Sequence, residues 1–302
     1  MSMTGIAPLA TTSTDAAGDM TRSGAPHGRS GDPAAAPASH ARQAARPLAH
    51  PLDHPLDPPL DQPLARPRRW RALASPVVFD RWAARVVPWF AGAAALLGAA
   101  GLWIGFVVAP TDHQQGEVYR LIYLHVPAAW MSMFLYLVAA LHAALGLIYR
   151  TRLSPVMTRA LAPTGAVFTA IALWTGAAWG KPTWGTWWVW DARLTSELLL
   201  LFLYLGYLAL VSAIDDVRRA DRAGALLLLV GVVNVPVIYF SVKWWNTLHQ
   251  GASIRFDAAP SMASSMLAGM LLMALACWAY AIAVSLARAR CLLRERHLEA
   301  LP

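Results

Sequence analysis

Six long apolar stretches, joined by short polar connections, dominate this 302-residue chain from residue 88 onward and leave few architectures open to it. A helix rises about 1.5 Å per residue, so crossing a hydrocarbon layer roughly 30 Å thick takes about 20 mostly apolar residues. Residues 88–109, 126–149, 160–179, 195–214, 224–242 and 261–287 each meet that length. Blocks this long exceed what a soluble core needs. The predicted fold is therefore all-α, a polytopic integral membrane protein with six transmembrane helices in residues 80–302. An even number of crossings returns both ends of the chain to the same side.

A net charge of +8 would suggest nucleic acid as the partner of a soluble protein, but here the arginines gather in particular connections. Arg66, Arg68, Arg69, Arg71, Arg81 and Arg85 precede the first span. Arg150, Arg152 and Arg159 follow the second, Arg218, Arg219 and Arg222 the fourth, and Arg288, Arg290, Arg294 and Arg296 the sixth. The intervening connections hold only Arg120, then Lys181 and Arg193, then Lys243 and Arg255. Positive residues stay on the cytoplasmic side of a bilayer, so this alternation predicts cytoplasmic termini and three charge-poor outer loops. The charge is thus read as a topology signal in a lipid bilayer, with no nucleic acid involved.

Residues 1–75 are of a different kind. They are rich in Ala, Pro, Ser, Gly and Asp, hold a near-repeat around Pro51-Leu52-Asp53-His54-Pro55-Leu56-Asp57, and lack the early apolar run of a signal peptide. Such a segment cannot bury enough apolar surface to offset chain entropy and is expected to be a disordered cytoplasmic extension. His27, His40, His50 and His54 lie in it and are not read as a metal site. Cys277 and Cys291 lack metal-ligand spacing and are read as inert, and there is no Cys-x-x-Cys-His for covalent haem. Ionisable groups at membrane depth are scarce. His142 is expected to be a packed, hydrogen-bonded helix residue, and Glu197 to sit in the first turn of the fourth span, where the helix dipole favours a carboxylate.

Tryptophan is concentrated in one place. Trp179, Trp184, Trp187, Trp188 and Trp190 fall within twelve residues, in the second charge-poor loop. An aromatic belt at the lipid headgroups is the bland explanation. A belt, however, spreads its rings over many helix ends and needs no Gly180, Pro182 and Gly185 between them. Those residues predict a turning, non-helical backbone that gathers the indoles into a platform for a large planar ligand. Asp191 ends the run and is expected to cap the helix beginning at Thr195 or a few residues earlier, or to pair with Arg193. Lys181 and Arg193 are candidates to receive carboxylates of a ligand.

Two histidines complete the pattern. His125, in Tyr123-Leu124-His125-Val126-Pro127, sits where the first outer loop enters the second span, and Pro127 suits the opening turn of a helix. His249, in Trp244-Trp245-Asn246-Thr247-Leu248-His249-Gln250, lies in the third outer loop. The predicted topology puts both on the same side as the tryptophans. Neutral imidazole ligates iron well, and two rings on opposite faces of a porphyrin would give six-coordinate haem. A subset of Arg120, Lys181, Arg193, Lys243 and Arg255 would then neutralise the propionates. His113 is the rival ligand in the first outer loop.

The run Trp184-Gly185-Thr186-Trp187-Trp188-Val189-Trp190-Asp191-Ala192-Arg193-Leu194-Thr195 resembles the tryptophan-rich WWD signature of haem-handling membrane proteins. The segments around His125 and His249 resemble the histidine segments of the cytochrome c maturation protein C family, also called haem exporter protein C or CcmC. The similarity covers roughly residue 80 to the end. It implies a multi-pass protein of the bacterial inner membrane in system I cytochrome c biogenesis. It further implies that non-covalent haem b is held by His125 and His249 and presented to the periplasmic haem chaperone CcmE. CcmD and the ABC complex of CcmA and CcmB are the other implied partners. Whether such a protein forms the bond on the chaperone or only positions the reactants is left open. Two other readings compete: a haem lyase or cytochrome c synthetase of the same superfamily, usually a longer chain with more spans, and a small-solute permease, which should show polar or broken helices at the membrane centre.

Overall fold

The computed structural model describes residues 75–245, 247, 249 and 262–298. The N-terminal extension with its histidines, Arg66, Arg68, Arg69 and Arg71, and Arg255 of the third charge-poor loop lie outside the described residues. Among the described residues, six helical segments are long and apolar enough to cross a membrane: Pro76–Val108, Glu117–Tyr149, Leu153–Trp184, Ala192–Ala213, Val217–Trp244 and Ser264–His297. Helix α1 (Pro76–Trp103) starts on a proline, whose missing N–H is no loss in a first turn, and passes into a π-helical turn at Ile104–Val108. A 3-10 turn, Glu117–Leu121, feeds α2 (Ile122–Tyr149). There follow α3 (Leu153–Trp184), α4 (Ala192–Ala213), α5 (Val217–Gly231), α6 (Asn234–Trp244) and α7 (Ser264–Leu298). Among the described residues there is no strand, only an isolated bridge between Asp112 and Gly116.

Helix α1 packs on α7 and α2 on α3, while α3 also touches α4 and α7, and α4 is flanked by α5 and α6. In lipid, helices gain little by hiding apolar surface from one another, so close fit and interhelical hydrogen bonds must hold them. Alanines make the fit possible: Ala128, Ala139 and Ala143 of α2 and Ala162, Ala166 and Ala172 of α3 are buried around Tyr136, Tyr204 and Tyr207. The hydrogen bonds are present too. Tyr204 Oη donates to the Ser132 carbonyl at 2.9 Å, Tyr207 Oη to Thr158 Oγ1 at 3.0 Å, and Asn234 Nδ2 to the Ser196 carbonyl at 2.8 Å.

The two classes of connection separate to opposite ends of the bundle. At the arginine-rich end Asp80 pairs with Arg290 at 2.9 Å, and Asp221 pairs with Arg159 at 2.9 Å and Arg296 at 3.0 Å. Arg288 donates to the Ala160 carbonyl and to Thr164 Oγ1, both at 2.9 Å. Thus the start of α1, the starts of α3 and α5 and the end of α7 are tied together there. Trp179, Trp184, Trp187, Trp188 and Trp190 and the histidines His125 and His249 occupy the other end.

Several expectations need correction. Helix α1 begins at Pro76, well before the apolar block at 88, because Asp80, Arg81 and Arg85 continue the same helix beyond the hydrocarbon depth. Pro127 lies inside α2 and not in its opening turn, since the 3-10 turn starts the helix earlier. Glu197 is in the second turn of α4 and is buried, with 7% exposure, against Ser132. His142 is packed, but its Nδ1 is buried without a hydrogen-bond partner among the described residues. The fifth span is broken between α5 and α6, a feature set out as a permease sign. Asn234 at the break is spent on the Ser196 carbonyl, which closes α6 onto α4.

Candidate functional site

The seat of His125 is built by one face of α3. Ala172, Thr175, Gly176 and Trp179 recur at the three- and four-residue spacing that places side chains on one side of a helix. His125 Nδ1 lies 3.0 Å from the Ala172 carbonyl and 3.1 Å from Thr175 Oγ1. A carbonyl can only accept, so Nδ1 carries the proton and Nε2 presents its lone pair. Thr175 sends its own proton to the Ile171 carbonyl at 2.6 Å, which leaves its oxygen to accept from the imidazole. Gly176 supplies the room, because a Cβ there would stand 3.0 Å from His125 Cε1. Trp179 meets the ring edge to face, with centroids 5.9 Å apart, and its indole N–H donates to Gln115 Oε1 at 2.6 Å.

His249 comes to the same place from the connection between α6 and α7. The two imidazole centroids are 6.1 Å apart, with the rings inclined by 39°. A metal–imidazole nitrogen bond is about 2 Å and the centroid lies about 1 Å behind that nitrogen, so two rings sharing one metal have centroids roughly 6 Å apart. Among the described residues no group of three or more His, Cys, Asp and Glu side chains is placed to hold a metal ion. Two imidazoles alone make a poor cage. They suit a metal that arrives with four equatorial donors of its own.

The tryptophans divide in a way their spacing did not predict. Helix α3 runs through Gly180 and Pro182 as far as Trp184, so Trp179 and Trp184 are helical. Only residues 185–191 have a turning backbone, opened by Gly185, whose φ of 80° caps the helix. Trp188 and Trp190 meet edge to face at 5.4 Å, and Trp187 and Trp190 are 55% and 78% exposed. Trp188 Nε1 is buried and finds no acceptor among the described residues.

The charged candidates are mostly occupied. Asp191 is the N-cap of α4, its Oδ1 accepting from the Leu194 N–H at 2.8 Å. Its other oxygen takes the Thr247 hydroxyl, not Arg193. Arg193 Nη1 donates to the Ile238 carbonyl at 2.8 Å, binding α4 to α6. Lys181 reaches the Gly185 carbonyl at 3.1 Å, and Lys243 lies over the Phe240 ring at 5.8 Å. Arg120 pairs with Glu117 and donates to the Gly105 carbonyl. That carbonyl is free because the π-turn has drawn the Ala109 N–H to Ile104 at 2.8 Å. His113 is exposed in the first charge-poor loop. Thr175, Gly176, Gln115 and Thr247 were not singled out from the sequence. The helical spacing of 172, 175, 176 and 179 marks a face, yet nothing local says that His125 lies against it.

The family model described as Heme exporter protein C matches residues 69–301. Heme exporter protein C of Escherichia coli K12 is 55% identical over 181 residues, 60% of this chain and 74% of the relative. The protein of that name from Bradyrhizobium diazoefficiens is 49% identical over 204 residues, 68% of this chain and 77% of the relative. The one from Paracoccus denitrificans is 41% identical over 229 residues, 76% and 95%.

Proposed function

Because this chain belongs to the haem exporter protein C family, we propose that it handles haem for cytochrome c biogenesis, holding it non-covalently between His125 and His249. The observation that carries the reading is the histidine pair. Residues 124 positions apart stand with ring centroids 6.1 Å apart, and the anchored Nδ1 of His125 leaves Nε2 for an iron. Ligating histidines characteristically donate their second ring N–H to a carbonyl, which fixes the tautomer and raises the basicity of the ligand nitrogen.

The surroundings fit a porphyrin. Exposed Trp187 and Trp190 offer apolar faces at the rim, and Trp179 braces the ring of His125. The N–H of Trp188, which has no acceptor among the described residues, is a donor for a ligand acceptor such as a propionate carboxylate. Among the basic candidates, Arg193 spends one nitrogen on Ile238 and retains other donors of its guanidinium, whereas Arg120 is committed to the π-turn.

In this reading the arginine-rich end faces the cytoplasm of a bacterial inner membrane and the haem site faces the periplasm. The cargo passes to the haem chaperone CcmE, with CcmD and the CcmA and CcmB complex as further partners. This chain contributes binding and orientation: two axial nitrogens, an indole roof and a water-facing exit.

Spectroscopy tests it. Protein purified in detergent from cells with intact haem synthesis should show a Soret band and the sharp reduced-state bands of six-coordinate haem. His125→Ala or His249→Ala should weaken or alter them, and His142→Ala should not. Loss on His113→Ala with His125→Ala silent would overturn the ligand assignment.

A further inference from the structure

His249 stands outside the helices. It lies between α6, which ends at Trp244, and α7, which begins at Ser264, whereas His125 is fixed by α2 and by two bonds to α3. One contact that reaches its backbone is a short chain of hydrogen bonds. The backbone N–H of His249 donates to Thr247 Oγ1 at 3.1 Å, and the Thr247 hydroxyl donates to Asp191 Oδ2. A hydroxyl that gives its proton to a carboxylate keeps its lone pairs for an amide, so the two bonds share one direction and reinforce each other. Asp191 Oδ1 meanwhile caps α4 through the Leu194 N–H at 2.8 Å.

We propose that Thr247 and Asp191 are positioning residues that clamp the His249 segment to the N-terminus of α4 and so set the second imidazole opposite His125. The inference rests on the haem-ligation reading above. A carboxylate suits the task because both of its oxygens accept, one for the helix cap and one for the loop. Hydrogen bonds to an ionised acceptor are also the stronger kind. The WWD aspartate then acts through His249 and needs no contact with the porphyrin. A plain helix cap would have no use for Thr247.

The test compares Thr247→Val, which keeps the shape and removes the hydroxyl, with Thr247→Ser, which keeps the hydroxyl. In haem-loaded protein Thr247→Val should cut the six-coordinate low-spin fraction relative to the five-coordinate by about five-fold, the equivalent of one lost hydrogen bond. Added free imidazole should restore the six-coordinate bands, and Thr247→Ser should keep them. In haem-free protein, hydrogen exchange in the peptide around position 249 should quicken by a similar factor in Thr247→Val only. Combining Thr247→Val with Asp191→Ser, which keeps one capping oxygen for the Leu194 N–H and has no second oxygen for Thr247, should do no more than the worse single change, since both break one chain. Should Thr247→Val fail to accumulate, Asp191→Ser alone carries the same expectation. A Thr247→Val protein with wild-type spectrum and exchange, or Thr247→Ser failing as badly, overturns the clamp. If His249→Ala abolishes the six-coordinate bands while Thr247→Val leaves them intact, only this inference falls. If His249→Ala leaves them intact as well, the ligation reading falls with it.

Discussion

Gly176→Ala should separate ligand geometry from folding. The new Cβ would stand 3.0 Å from His125 Cε1 and 3.5 Å from Nδ1. Ordinary carbon contacts lie at about 3.5–4.0 Å, so the ring must retreat by roughly half an ångström. Its bonds to Ala172 and Thr175, now 3.0 and 3.1 Å, would lengthen towards the limit at which hydrogen bonding fails. Losing one of them costs about 1 kcal/mol, a factor of roughly five in the population of the ligating orientation. The same change favours the helix, since alanine is about 1 kcal/mol better than glycine in a helix interior. Haem content from the Soret absorbance per protein should therefore fall several-fold, while the thermal midpoint of the haem-free protein holds or rises. A variant with wild-type haem content and reduced spectrum, in a background where His125→Ala is damaging, would falsify the account of a tight seat.

Three further outcomes can be measured. Trp188→Phe keeps an aromatic ring and removes the indole N–H, so haem should dissociate roughly tenfold more readily in a competition assay with apomyoglobin, the worth of a bond to a charged acceptor; unchanged release means that this N–H meets no ligand. Glu197→Gln retains an acceptor for the Ser132 hydroxyl at 2.7 Å and should leave the thermal midpoint close to wild type, whereas Glu197→Ala opens a cavity between α2 and α4 and should cost about 2 kcal/mol. Arg120→Ala strips the Gly105 carbonyl of its partner beside the π-turn and should destabilise by about 1–3 kcal/mol, with little change in the haem spectrum if the residue is structural. A spectral change without loss of stability would instead return Arg120 to the haem site.

Much of the molecule can be read along the chain. Hydropathy locates the six spans because the requirement for about 20 apolar residues is a property of each segment alone. The arginine-rich connections do gather at one end, and Asp191 does cap the following helix, since an N-cap is chosen by residues only three apart. The motifs around Trp184 and the two histidines identify the family because those residues stand in the right order with the right neighbours. Helix limits were less legible. The first helix starts at Pro76, ahead of the apolar block, because proline suits a first turn, and α3 runs through Gly180 and Pro182, where glycine and proline had suggested a turn.

The amino-acid order by itself determined that this chain crosses a membrane six times and which segments share an end, because burial in lipid is decided one segment at a time. Only the tertiary structure decided what those ends build. The 6.1 Å meeting of His125 with His249, the seat made for His125 by residues about fifty positions away, and the diversion of Asp191 to Thr247 and Arg193 to Ile238 all depend on how helices lean together. Such contacts join residues distant in sequence, and no local pattern of charge or hydropathy specifies which helix face will lie opposite which.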